Sequence, residues 1–173
     1  MGPYGLFFYF GRFFGKIKYT MTKEELQKMI QLIVSQAKEI KDKHITGDDS
    51  NVNYAAIFSQ SNNEYKDLLE AIKEIGEVIL DTETGPLFKI APLDTVAGDL
   101  KLVKIRKPDK SRPERGDADF TIDDYDKFKK EFLGKKGFKL IEREDFEMIE
   151  LMDSEFNVRA YFSNPPLDKQ LKV

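Results

Sequence analysis

From residue 22 onward, the hydrophobic positions follow two periods, and the switches between them mark the elements. Leu26, Met29, Ile30, Ile33, Val34, Ala37 and Ile40 recur at helical spacing, with Lys and Glu between them. That pattern predicts an amphipathic helix over residues 22–43. Thr22-Lys23-Glu24-Glu25 opens it with a capping box, in which the Thr and Glu side chains satisfy two N–H groups of the first turn. A turn-rich stretch over 46–51 then leads into the rest of the chain.

After that stretch the order strand, helix, three strands is written twice. The first unit has Asn53-Tyr54-Ala55-Ala56-Ile57-Phe58, a helix over 64–75 and strands over 77–80, 87–90 and 100–105. The second has Asp117-Ala118-Asp119-Phe120-Thr121-Ile122, a helix over 124–133 and strands over 138–142, 146–151 and 157–162. In the first helix Leu68, Leu69, Ile72 and Ile75 form the buried stripe, and Gly76 reads as its end. Pro108, Pro113 and the charges around them mark residues 106–116 as an exposed crossover. The prediction is an α+β fold of two tandem βαβββ modules, 52–108 and 117–166. They form a cupped mixed sheet, preceded by an N-terminal amphipathic helix over 21–45, in one globular domain of 21–168.

Composition narrows the chemistry. The chain has 173 residues, enough for one domain with a real core. It contains no cysteine, which removes disulfides, thiolate nucleophiles and zinc–sulfur sites and fits a cytoplasmic protein. His44 is the sole histidine, so a multi-histidine metal cluster is excluded within one chain; at the end of the first helix it reads as a capping residue. A net charge of −3 argues against a nucleic-acid partner, and Asp109 and Glu114 break up the basic run of 101–115.

Residues 1–20 stand apart. Phe7, Phe8, Tyr9, Phe10, Phe13 and Phe14 alternate with glycines beside Arg12, Lys16 and Lys18. One reading is an aromatic interfacial anchor, which makes membrane contact conditional on this tail. The other is a disordered or non-native extension, with Met21 as the start. Arg115-Gly116-Asp117 spells an adhesion tripeptide, but its Asp opens a strand. The acids Glu142, Glu144, Asp145, Glu147 and Glu150 lack the spacing of a calcium loop.

Two tandem βαβββ units resemble the vicinal oxygen chelate superfamily, which includes glyoxalase I, extradiol dioxygenases and bleomycin-resistance proteins. The resemblance covers about residues 52–166 and is closest to a bacterial branch of glyoxalase-like proteins described as metal-binding. It implies a cup with helices outside and the ligand inside, and a divalent metal held by His and Glu on cup-facing strand positions. Alternation tells which residues occupy those positions here. Because Ala118, Phe120 and Ile122 meet the helix, Asp117, Asp119 and Thr121 face the cup. Asn53, with Tyr54 as its rival, stands where the first histidine would be; Asp117 stands at the second. Lys104, with Arg106 on the same face, replaces a metal-binding Glu, and Arg159 and Tyr161 line the last strand.

Lysine and arginine offer donors and positive charge only, so the family's metal site reads as dismantled. The expectation is a glyoxalase-like protein, uncertain as an enzyme and leaning against turnover, with no cofactor. It binds a small polar or anionic molecule through Asn53, Lys104, Arg106, Asp117, Asp119, Arg159 and Tyr161. Three alternatives remain open. The first is a metal-dependent lyase, isomerase or dioxygenase-like enzyme with Asp117, Asp119 and Glu147 as ligands. The second is an internal network pairing Asp117 with Lys104 and Asp119 with Arg159. The third is a structural module that homodimerises through the first helix or a sheet edge.

Overall fold

The computed structural model describes residues 20–172, and the expectations for the aromatic tail lie outside them. The described residues form one mixed eight-stranded sheet in the order β2-β3-β4-β1-β5-β8-β7-β6, with four helices. α1 (Lys23–His44) comes first. Module one is β1 (Val52–Phe58), α2 (Asn62–Ile72), β2 (Gly76–Leu80), β3 (Leu87–Leu93) and β4 (Leu100–Arg106). Module two is β5 (Gly116–Phe120), α3 (Tyr125–Phe132), β6 (Phe138–Glu142), β7 (Glu147–Leu151) and β8 (Val158–Asn164). The doubled βαβββ order read from the sequence is therefore present. α4 (Leu167–Leu171) follows it.

In each module the first strand runs parallel to the last, β1 with β4 and β5 with β8. The two modules join where β1 and β5 pair antiparallel, with Ala55 opposite Ala118. That seam relates the halves by an approximate two-fold. Tyr54 pairs with Asp119 and Ala56 with Asp117, so Tyr54 is the equivalent of Asp117, and Ala56 of Asp119. Lys104, paired to Ala56, corresponds to Tyr161, paired to Asp119.

One face of the sheet is apolar and carries α1, α2 and α3. Ala55, Ile57, Val103, Ile105, Ala118, Phe120, Ala160 and Phe162 belong to the same buried cluster as the helix stripes. α1 rests on β8, β5 and β1 and touches α2. Leu26, Ile30, Ile33, Val34, Ala37 and Ile40 are fully or almost fully buried, so this helix spends its apolar stripe on its own sheet. Its capping box forms as read: Thr22 Oγ1 accepts from the Glu25 N–H at 3.2 Å, and Glu25 Oε2 accepts from the Thr22 N–H at 2.9 Å. Lys41, which helical spacing placed among the solvent-facing charges, is buried and reaches Asp48 at 2.9 Å. His44 Nε2 lies 2.8 Å from Asp153, tying the end of α1 to the β7–β8 loop.

Gly76 differs from its reading as a helix end. α2 stops at Ile72, and Gly76 opens β2. A β-carbon there would sit 2.5 Å from the Lys89 carbonyl oxygen, so the glycine permits a close strand approach. Gly116 has the same role at the seam, where a β-carbon would strike the Ala56 carbonyl and Ile33. Among the described residues, no helix is long and apolar enough to cross a membrane.

Candidate functional site

The other face of the sheet carries the polar residues singled out from the sequence. In the row through its middle, Lys104 of β4, Ala56 of β1, Asp117 of β5 and Arg159 of β8 are successive register partners. The next row holds Tyr54, Asp119, Tyr161 and Glu150. The register shift between Val52 and Tyr54 brings both Asn53 and Tyr54 to this face. Asn53 sits at the rim, where its Nδ2 donates to Thr121 Oγ1 at 3.1 Å. Tyr54 sits nearer the centre, where burial and the charges of Asp117 and Asp119 push its phenol pKa well up.

Asp117 is the unusual member. It is 4% exposed, and its Oδ1 has no hydrogen-bond partner among the described residues. Burial, aided by the like charge of Asp119 and opposed by Arg106, Arg112 and Arg159, pushes its pKa up to about 7. Lys104 and Arg106 are partly exposed and make no ion pair among the described residues. Burial and the neighbouring Arg106 lower the Lys104 pKa, while Asp117 pulls it the other way. The Arg106 guanidinium lies over the Phe58 ring, 5.0 Å from its centroid.

Neither ion pair expected for an internal network is present. Asp119 does not meet Arg159: its Oδ1 accepts from the Ser163 N–H at 3.0 Å, its Oδ2 from the Ser163 hydroxyl. Burial raises its pKa to about 6 against those bonds. Arg159 is clamped instead between Glu150 at 2.6 Å and Glu114 at 2.7 Å. The Tyr161 hydroxyl donates to Glu150 and accepts from Arg112 Nη1 at 3.1 Å. Burial opposes the Glu150 charge, but Tyr161 and Arg159 hold its pKa below the usual value. Sequence reasoning passed over Arg112, Glu114 and Glu150. The alternation of β7, with Ile149 and Leu151 buried in the core, was the signal that Glu150 faces the polar side.

The crossover thus folds over one end of this face through Arg112 and Glu114. α4 lies against β1 at the other end, with Asp168 close enough to act on Asp119. A cavity of about 320 Å³ opens beside it, lined by Asn53, Lys89, Lys101, Leu102, Thr121 and Asp168 among others. The Asn53 Oδ1 is a second buried acceptor with no partner among the described residues.

A divalent metal of the kind the resemblance implies does not fit these residues. The charges acting on Asp117 are Arg106, Arg112, Arg159 and Lys104 against the single acid Asp119, whose two oxygens are held by Ser163, and these cations repel such an ion. Glu147, the third ligand of the alternative set, is on the apolar side: its carboxylate binds Lys129 of α3 at 2.8 Å, and Ile149 next on its face is in the core. It cannot meet Asp117 and Asp119 through the sheet.

The fold and this polar face define a doubled βαβββ protein whose central strands carry charged side chains without ion pairs. A solved structure described as Protein EC4020 is similar, with a TM-score of 0.66 at 10% identity over 89% of this chain and 97% of its own. That likeness shows the fold. A glyoxalase/bleomycin resistance protein/dioxygenase superfamily member from Vibrio splendidus 12B01 aligns with a TM-score of 0.40 and 7% identity, over 66% of this chain and 97% of its own. No protein-family model and no curated protein matches the sequence.

Proposed function

We propose that the polar face of the sheet binds a small polar or anionic molecule in a glyoxalase-like scaffold that works without the superfamily's metal. The Asp117 carboxylate carries this reading. A buried carboxylate oxygen without a donor is costly, and folded proteins keep such groups chiefly where a ligand or a reaction uses them. Lys104 and Arg106 supply the complementary half. They bring donors and positive charge that no direct ion pair engages, which suits a carboxylate or similar anion. A ligand offering an acceptor to Lys104 and Arg106 and a donor to Asp117 satisfies both halves at once. Asn53, beside the rim cavity, adds a further acceptor.

Thermal unfolding of the protein against a panel of small mono- and dicarboxylates, hydroxy acids and amino acids tests the reading. Binding raises the midpoint by mass action. Asp117→Asn and Lys104→Ala should each abolish the stabilisation given by the compound that binds. If both variants respond as the parent does, the ligand sits elsewhere and the reading fails.

A further inference from the structure

The parallel strands β1 and β4 end side by side, with Phe58 paired to Arg106. Beyond their carboxyl ends the chain turns into α2 on one side and into the crossover on the other. A cavity of about 470 Å³ lies between, lined by residues 59–62 and by Pro108, Asp109, Lys110 and Pro113. A crevice outside the carboxyl ends of adjacent parallel strands is a recurrent ligand position in open sheets.

α2 begins at this crevice. The helix has 11 residues, and the hydroxyl of its N-cap Ser61 accepts from the Glu64 N–H at 3.1 Å. The Glu64 carboxylate is already engaged, by the Gln60 N–H at 2.6 Å and by Arg115 at 2.7 Å. The N–H groups of Asn62 and Asn63 have no acceptor within the helix, and the aligned peptide dipoles add positive potential there.

Ser59 is the independent observation. It lines the cavity and is 2% exposed, and its Oγ has no hydrogen-bond partner among the described residues. Lys110 also borders the cavity, is exposed and makes no ion pair among the described residues. The one carboxylate on the lining, Asp109, is occupied by the N–H and hydroxyl of Ser111 at 2.9 and 2.7 Å.

We propose that this crevice binds the phosphate group of a small molecule, received by the α2 N-terminus, the Ser59 hydroxyl and the Lys110 ammonium. Amide donors at a helix start, a hydroxyl and a flexible cation are the usual complement of a phosphate. The matching crevice of module two makes the contrast. There Ile122, Asp123 and Asp124 stand where module one has Ser59, Gln60 and Ser61, and Asp126 and Lys169 join them around about 520 Å³. Three carboxylates against one lysine repel a phosphate, so the site belongs to module one.

The test is a titration of the full isotope-labelled chain, following backbone amides by NMR, with inorganic phosphate, glycerol 3-phosphate and glycerol. Both phosphates should shift the amides of residues 59–63 saturably, and glycerol should not. Tighter binding of glycerol 3-phosphate points to an organic phosphate; equal binding points to the free ion. Ser59→Ala should weaken binding about tenfold, the scale of one hydrogen bond to a charged group. Exposed Lys110→Ala should weaken it about threefold. The proposal is overturned if neither phosphate binds saturably, if glycerol binds as well, or if both variants keep the parent affinity.

Discussion

On the sheet's polar face, β7 and β8 of module two pair their charged side chains, whereas Lys104 and Arg106 of module one make no ion pair among the described residues. On β8 and β7, Arg159, Tyr161 and Glu150 bind one another, with Glu114 and Arg112 closing the network, and Asp119 is held by Ser163. The matching places in module one are Leu102 for Arg159, Lys104 for Tyr161 and Leu87 for Glu150, so Lys104 has no acid beside it. At the helix starts a buried hydroxyl lacks a partner among the described residues in both modules, Ser59 beside α2 and Tyr125 at the first position of α3. The repeated βαβββ plan thus carries a bonded network on one half of the polar face and cations without ion pairs on the other. Asp117 belongs to module two by sequence, yet it faces the open charges of module one across Ala56.

The contrast breaks most readily at Glu150. Glu150→Ala leaves the buried Arg159 with Glu114 as its one acid and takes the acceptor from the Tyr161 hydroxyl, which should destabilise the protein by about 2–3 kcal/mol. Lys104→Ala, at the module one place that matches Tyr161, should cost under about 1 kcal/mol, since no internal ion pair is lost. Urea unfolding of both variants measures the difference. Equal losses would show that module one is as closed as module two.

Asp117 gives the next effect, with a sign that depends on pH. The unfolded chain releases this proton near the ordinary 3.8 and the folded chain near about 7. Between those values the folded state binds more protons, so this group's contribution to stability is full below pH 4 and is lost as pH rises through about 7. Asp117→Asn should therefore be more stable than the parent by about 2–4 kcal/mol near pH 8, and the gain should vanish near pH 4. A pH-independent difference would mean that the carboxylate is not held against its charge.

The smallest effect sharpens the likeness of the modules. Ser61 and Asp124 are their respective helix N-caps, each accepting from the N–H three residues on, at 3.1 and 3.0 Å. Replacing either by Ala should cost about 1 kcal/mol, and the two losses should agree within error by thermal unfolding.

The sequence made the doubled unit legible because each module repeats its periods locally, and α1 announced itself through its stripe and capping box. What escaped it depends on pairing over distance. The bulge at Val52 to Tyr54 erased the alternation that would have placed Asn53 and Tyr54. Gly76 looks like a helix stop until Lys89 of the next strand is seen against it. α4 is too short, after Pro165 and Pro166, to carry a period. The polar face was legible residue by residue for β4, β5 and β8. Its ion pairs were not, because Glu114 comes from a crossover and Glu150 from an edgeward strand, and no spacing rule joins either to Arg159.

The placement of α1 over β1, β5 and β8 has a consequence for how the molecule comes apart. The helix bridges the seam, so melting either module strips cover from a stripe that the other also needs. The two repeats, though alike in plan, should unfold as a single cooperative unit in calorimetry, with no half-folded species. A gene fragment encoding one βαβββ unit alone would yield a chain whose central strand edge and helix-bearing face are both uncovered.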